Sequence, residues 1–366
     1  MQTMMQEPNW LEEIRRDALL KFGQLPLPQE REEEWRYTNL KNYDIEFSLS
    51  DSEIMMDGET EGIIFTDLLS AVRNHPEIVK RHLGTAVKIT DKFSAHHYAN
   101  ISNGILIVVP DNKTARLSSK ITGGGHTIII VGKNAKLDYI EEYSGGGFVT
   151  EAVELFAGEN STVNIASIQK CNSNAKVFSF KEAVLKRDTA VNMIFGSFGS
   201  AFHRLKSGTL LGGEGCSSEI ICGFKGCGKQ HTDFTVNCHH AVPHTTNNIF
   251  AKGTVADSST SVFRGLIRID KPAQQTDSYL SDHTLILSPS ALANSIPSLQ
   301  IEANDVKASH GATVGQIDED QLFYLMARGL SREQSEQLIV NGFFEPLIDK
   351  IHDKEFREIF RDAIEM

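Results

Sequence analysis

A short turn signal recurring at a fixed interval constrains this chain more than any other feature. Asn134-Ala-Lys-Leu137, Asn160-Ser-Thr-Val163, Asn174-Ala-Lys-Val177 and Asp188-Thr-Ala-Val191 share the form Asn/Asp-x-x-Val/Leu, and the last three start 14 residues apart. Asn and Asp suit a turn because their short side chains bond to nearby backbone, and the apolar residue then enters a strand. Cys216-Ser-Ser-Glu-Ile220 and Asp257-Ser-Ser-Thr-Ser-Val262 are looser copies. The period is too short for a strand–helix–strand unit, which needs roughly 30 residues. It suits part of a turn in a solenoid of strands, each rung burying its face on the next. An antiparallel sandwich also makes short strands with turn signals every 8 to 12 residues or so, and periodicity alone leaves both open.

The strand pattern begins at about residue 95. Before it, Trp10, Leu11, Ile14, Ala18 and Phe22 fall near helical spacing, so an amphipathic helix is predicted over 9–22, stopped by Gly23, Pro26 and Pro28. Trp35, within Glu30–Leu40, reads as an aromatic plug between the N-terminal helices and the core. Residues 41–90 are mixed, with short helices at 66–73 and after Pro76. Beyond the strands, Asp318–Arg328 is a helix ended by Gly329, and Ser331-Arg-Glu-Gln334 is a capping box opening the next. That helix should run to about Val340 and close at Asn341-Gly342. Phe343, Phe344, Leu347 and Ile348 then begin another apolar face, and 354–364 form a last helix. The division expected is a helical and mixed region at 1–90, a strand core at 91–315 and a helical region at 316–366.

Hydrophobic residues make up 40% of the chain, enough for a real core. A net charge of −12 without a dense Lys/Arg block argues against a nucleic-acid partner. The densest apolar runs, Ile105–Val109 and Thr127–Val131, have strand length and not the 18 or so residues of a membrane span. The polar start, Met1–Trp10, does not have the pattern of an export signal. The expectation is a soluble cytoplasmic protein with no membrane partner. Its five cysteines, an odd number, then read as thiols or ligands instead of disulfides.

His310 stands where strand period gives way to helical period, flanked by small residues. An imidazole there could offer a nitrogen to iron or another borderline metal, or could be a structural histidine. Cys216, Cys222, Cys227 and Cys238, followed by His239 and His240, could hold a cluster or zinc. The spacing contains no Cys-x2-Cys, so buried thiols fit equally. His244 reads as a loop-shaping residue. Gly123–Gly125, Gly145–Gly147 and Gly212–Gly215 fit no phosphate-binding pattern and read as turns needing positive φ. A polysaccharide-active β-helix would need paired carboxylates, and Asp257 and Asp270 are the candidates. Leu322, Phe323 and Leu325, with Leu338, make apolar faces to be buried on the core or a partner, with Arg328 and Gly329 placed for the partner surface.

Asp305-Val-Lys-Ala-Ser-His310-Gly-Ala-Thr-Val-Gly-Gln316 and Asp320-Gln-Leu-Phe-Tyr-Leu325 resemble the end of the core in the SufB/SufD family of the SUF iron–sulfur assembly system. Residues 30–40 match a second family segment, and Phe263-Arg-Gly-Leu-Ile267 and Ala273–Tyr279 carry the likeness too. The likeness is strongest from 243 to 348. Ser-His-Gly-Ala-Thr-Val-Gly favours the SufD type, since SufB-like chains usually read Glu-His-Glu-Ala-Ser. The resemblance implies a mainly β fold: a right-handed parallel β-helix core between N- and C-terminal helical regions. It implies a non-catalytic scaffold that pairs with a SufB-like subunit and docks SufC-like ATPases through its helical end; whether the chain forms a homodimer in isolation is left open. His310 would lie at the subunit interface as a metal ligand, with Leu322, Phe323, Arg328 and Gly329 at the docking surface. No cofactor would stay bound to this chain alone: the nascent Fe–S cluster belongs to the interface and ATP to the partner. Many relatives carry Cys where this chain has Ala308, so a role for that thiolate does not carry over.

Overall fold

The fold is taken from a computed structural model that describes residues 8–43, 45–47, 52–351 and 353–365. Residues 1–7 of the polar start therefore lie outside the described residues. Among the described residues, helix α1 (Asn9–Gln24) is followed by strands β1 (Glu53–Gly58) and β2 (Ile64–Asp67). Helices α2 (Leu68–Asn74), α3 (Pro76–His82) and α4 (Lys92–Ala99) come next. The strands then run without interruption: β3 (Gly104–Val109), β4 (Thr114–Thr122), β5 (Gly124–Val131), β6 (Lys136–Ser144), β7 (Phe148–Ala157) and β8 (Thr162–Gln169). They continue as β9 (Lys176–Leu185), β10 (Ala190–Ser197), β11 (Phe202–Leu211), β12 (Ser217–Gly226), β13 (His231–His240) and β14 (Thr246–Val255). The last are β15 (Thr260–Ile269), β16 (Thr276–Ile286), β17 (Leu292–Ile301) and β18 (Val306–Gln316), before helices α5 (Glu319–Ala327), α6 (Arg332–Ile348) and α7 (Lys354–Glu365).

Successive strands alternate between two sheets. One is ordered β1-β4-β6-β8-β10-β12-β14-β16-β18, the other β17-β15-β13-β11-β9-β7-β5-β3-β2. Pairing is parallel and in register throughout, except that β1 and β2 close the first end antiparallel. Parallel pairing excludes the sandwich and makes the core a solenoid of about seven turns. Thr114 pairs with Lys136, 22 residues on, and Thr246 with Asp277, 31 on, so a turn lengthens along the axis. The 14-residue period is thus half a turn: Asn160 and Asp188 precede strands of one sheet, Asn174 a strand of the other. At the first of these corners Asn112, Asn134, Asn160, Asp188, Gly215, His244 and Gln275 all take positive φ, stacked one above another. Asn160 Nδ2 donates to Asn134 Oδ1 at 2.8 Å, and Asn134 Nδ2 to Asn112 Oδ1 at 3.0 Å, so the turn signal also ties rung to rung. His244 is one of these corner residues, which accounts for it as a loop former.

Inward side chains from the two sheets make the main core, from Ile105 to Leu280 and Ala291. The helices do not plug the solenoid ends; they lie along its sides. The N-terminal region buries Leu11, Trp35, Val79 and Phe93 on Ile128, Phe178 and Phe202 of the second sheet. There the Arg204 guanidinium lies 3.9 Å over Trp35 and donates to Asp233 at 2.6 Å, and Thr38 Oγ1 donates to the same carboxylate. The C-terminal helices bury Val340, Phe344, Leu347 and Phe360 on Ile140, Ile168, Ile194 and Ile221 of the first sheet. Gly223 is what admits this contact: a Cβ there would stand 2.0 Å from Phe360.

Three local expectations are corrected. Helix α1 passes Gly23 and ends at Gln24. Helix α4 occupies the start of the stretch read as strands, and the strands of the solenoid begin at Gly104. Helix α6 does not stop at Val340 but runs through Asn341-Gly342 to Ile348, with Pro346 inside it. The capping box is present: Gln334 N donates to Ser331 Oγ at 3.1 Å and Ser331 N to Gln334 Oε1 at 2.9 Å.

Candidate functional site

The two ends of the solenoid differ. One is closed by β1 and β2; at the other, β17 and β18 finish the sheets, and no strand among the described residues pairs with their outer edges. Most of the last rung is exposed or half-buried, including Leu292, Ile301 and Val314. An unprotected strand edge offers a row of N–H and C=O groups to another chain. Lys307 on β18 and Pro297 on β17 are of the kinds that blunt such an edge, and the rest of the two strands carries no Asp, Glu, Lys or Arg.

His310 lies on this rung. It pairs with Leu280, whose side chain fills the interior beside Gly265, where a Cβ would stand 2.1 Å from Leu280 Cδ1. In a parallel ladder paired residues face the same way. His310 therefore belongs to the inward-facing row, exposed only because the solenoid ends there. Ala308 lies in the same row, packed at the core margin. Gln274 Oε1 accepts from Asp305 N at 2.9 Å, fixing the turn that leads into β18. One rung below, Asp282 pairs with Ala251 and Ala312 and is wholly buried. Asp282 is not among the residues expected from sequence. The available signal was parity: in Ser278, Leu280, Asp282, Thr284 and Ile286 a carboxylate occupies an inward place.

Helices α5 and α6 divide the predicted docking residues. Leu322 is fully buried, whereas Phe323 is 73% exposed, with Tyr324, Met326 and Leu338 also on the surface. Arg328 Nη2 donates to Tyr324 Oη at 2.8 Å and its guanidinium lies over the same ring. Gly329, at φ 97°, turns the chain into α6. The result is an exposed aromatic surface with one cation, Arg328, on the helix that follows the open rung.

The four cysteines do not converge as one ligand set, although Cys216 lies near Cys238, whose Sγ is 3.7 Å from His240 Nε2. Cys222 and Cys238 point into the shared core from different sheets, Cys216 is buried at a corner and Cys227 is exposed in the turn after β12. Among the described residues no three His, Cys, Asp or Glu side chains gather as a metal would require. Burial pushes the Cys216 thiol up to about 11 and the Cys222 and Cys238 thiols higher still, away from the thiolate that binds iron. His239 is engaged by Asp270 at 2.7 Å, and His240 by Thr245 at 2.7 Å. Asp257 and Asp270 stand at opposite ends of β15, ten residues long. At ~3.3 Å per residue they are about 30 Å apart, against the ~5–9.5 Å that glycoside hydrolysis uses.

Residues 116–343 match the family model described as the SUF system FeS cluster assembly, SufBD core domain. The chain belongs to the SufB/SufD family. It is 26% identical to the iron–sulfur cluster assembly protein SufD of Bacillus subtilis, over 94% of this chain and 91% of that one. It is 27% identical to SufB of the same organism and 29% identical to a SufBD family protein of Staphylococcus saprophyticus, each over 94% of this chain and 77% of the relative. The fuller coverage of SufD agrees with the Ser-His-Gly seam, and the chain is a SufD-type member of this iron–sulfur assembly family. No helix among the described residues is long and apolar enough to cross a membrane.

For such a SufD-type chain, combined serine substitution of Cys216, Cys222 and Cys227 is expected to lower the thermal transition. A hydroxyl enclosed at Cys222 needs a partner that a thiol does not. Iron and sulfide recovered with the assembly complex should stay unchanged; their loss from an intact fold would return these cysteines to the site.

Proposed function

We propose that this protein is the non-catalytic scaffold and coupling subunit of a cytoplasmic SUF complex. It pairs with a SufB-like subunit through the open end of its solenoid and docks a SufC-like ATPase on α5 and α6. The observation that carries the reading is the asymmetry of the solenoid: one end is closed by antiparallel strands, the other ends in two unpaired edges bearing apolar side chains and His310. A SufB-like solenoid with a matching end would continue both sheets. In the absence of that partner, a second copy of this chain would satisfy the same edges as a homodimer. Nascent cluster is then cargo at the junction, with His310 facing it. ATP is hydrolysed on the docked subunit, whose movement reaches the junction through the short connection from β18 to α5.

Anaerobic co-expression with SufB-like and SufC-like subunits, followed by intact-complex mass measurement, tests the reading. Arginine at Ala312, which would bury a charge at the junction, should abolish pairing with the SufB-like subunit and leave ATPase docking intact. Arg328→Glu should do the reverse, weakening ATPase binding by about tenfold or more with an unchanged circular dichroism spectrum, since the cation and its stack on Tyr324 are both lost. Full retention of both contacts in the two variants would sink the assignment.

A further inference from the structure

We propose that the Thr150 hydroxyl is a modification site that takes an acetyl-sized acyl group from an activated ester or thioester, with His97 as the base that withdraws its proton. The site lies where α4 packs on the second sheet, far from the open rung. Thr150 stands on β7 and faces out of that sheet toward α4, which carries His97. Thr150 Oγ1 and His97 Nδ1 are 3.1 Å apart, His97 Nε2 and His126 Nδ1 3.0 Å, and His126 Nε2 and Glu154 Oε1 2.9 Å. A hydroxyl within reach of a base, and a base oriented by further partners, is the signature of an activated nucleophile.

The carboxylate end of this relay sets the direction of the rest. Glu154 also accepts from Gly84 N at 2.5 Å and from Ala86 N at 2.6 Å. Burial works to raise its pKa, but the bond from His126 and these amides outweigh burial and hold the carboxylate below its ordinary 4.5. A carboxylate only accepts, so His126 Nε2 carries the proton, and in a neutral ring its Nδ1 then accepts from His97 Nε2. That leaves His97 Nδ1 bare, and the Thr150 hydroxyl donates to it. Burial, with His126 and His96 close by, keeps the His97 pKa well below 6.5, so the ring is neutral, as a base must be. Thr150 and His97 line a cleft of about 40 Å³ with Ser52, Asn103, Gly124 and Phe148. At the ~10–15 Å³ that one water needs, this admits about three heavy atoms, the size of an acetyl group. Gly124 pairs with Thr150 on the neighbouring strand, where a Cβ would stand 2.2 Å from the Thr150 carbonyl oxygen, so no side chain covers the hydroxyl from that position. In the step, the Thr150 proton passes to His97 Nδ1 as Oγ1 bonds to the acyl carbon. The bond from that carbon to the leaving oxygen or sulfur then breaks, and the leaving group takes the proton from Nδ1. Thr150 ends as an ester and His97 is neutral again.

The test treats the full-length chain with p-nitrophenyl acetate at pH 8 and follows acetylation of each threonine by peptide mass spectrometry, beside thermal melting of each variant. Thr150 should be acetylated about a hundredfold faster than Thr114, an exposed threonine of β4, the factor that a positioned base commonly supplies. Thr150→Val should lose the label at that peptide. His97→Asn can still bond to the hydroxyl but is no base, so it should melt near the wild-type temperature and slow Thr150 labelling by about a hundredfold. A Thr150 rate no faster than that of Thr114 overturns the proposal. So does an unchanged rate in His97→Asn, which would leave the contact as an anchor of α4 alone. Should His97→Asn melt early, the wild-type ratio of the two threonines decides by itself. The readout needs neither partner subunit nor iron. Failure of subunit pairing therefore leaves the acetylation result standing, and failure here leaves pairing and ATPase docking untouched.

Discussion

Replacing Lys181 with methionine is expected to destabilise the fold by about 3–5 kcal/mol, the cost of breaking a buried ion pair from one side. Lys181 lies inside the solenoid, its Nζ 2.8 Å from Glu141 Oε1, 3.2 Å from Glu151 Oε1 and 2.7 Å from Ser167 Oγ. Tyr143 Oη donates to the other oxygen of Glu141 at 3.0 Å, and all of these side chains are enclosed. One cation faces two carboxylates. Burial outweighs its attraction at Glu151, whose pKa is raised above its ordinary value of 4.5. Methionine keeps the length of the side chain and removes the charge, so two enclosed carboxylates lose their counterion. A group with a raised folded pKa contributes stability that is present at low pH and is lost as pH rises through that value. The deficit of the variant should therefore be largest at neutral pH and shrink as pH falls toward 4.5. Urea unfolding of Lys181→Met across pH checks this. Adding Glu141→Gln and Glu151→Gln should recover most of the loss; a triple variant as weak as the single one would place the cost in volume, not charge.

The strands and corners were legible because their signals are local, while only the parallel pairing separates solenoid from sandwich. The turn asparagines declare the corners, and apolar alternation declares which side chains turn inward. What the chain hid was everything set by packing between distant segments. Helix α4 escaped because Phe93 to Tyr98 are all buried, leaving no polar face to create a helical period. Asn341-Gly342 reads locally as a stop, but Val340, Phe344, Leu347 and Ile348 form one continuous buried face on the first sheet. That packing outweighs the glycine penalty of about 1 kcal/mol. Lys252 Nζ also donates to the Phe343 carbonyl, at 2.6 Å, holding the same stretch. At the site, His310 could be found by its position in the chain, but its inward aspect could not, since that depends on the register with Leu280. Asp282 was hidden for the same reason: Ser-Asp-His in sequence resembles a polar turn, and only the ladder reveals a carboxylate facing the core.

His310→Ala is expected to leave folding and subunit assembly intact and to strip most iron and sulfide from the complex. The imidazole is exposed on the last rung, and no hydrogen bond ties it to another described residue, so its removal should cost less than the ~1 kcal/mol of a typical hydrogen bond. Cluster formation has no such margin. Ala308, its neighbour in the same row, offers no thiolate as a substitute ligand. Asparagine separates the roles that remain. It can reproduce a hydrogen bond to a partner subunit, but its amide is a poor replacement for an imidazole ligand. If the ring binds metal or moves a proton, His310→Asn should behave as His310→Ala. If it only bonds across the junction, asparagine should restore much of the cluster. Iron and sulfide per anaerobically purified complex, with native mass and thermal melting on the same samples, decide between them. Normal iron and sulfide in the alanine variant would remove His310 from the chemistry and leave the open rung as a docking surface alone.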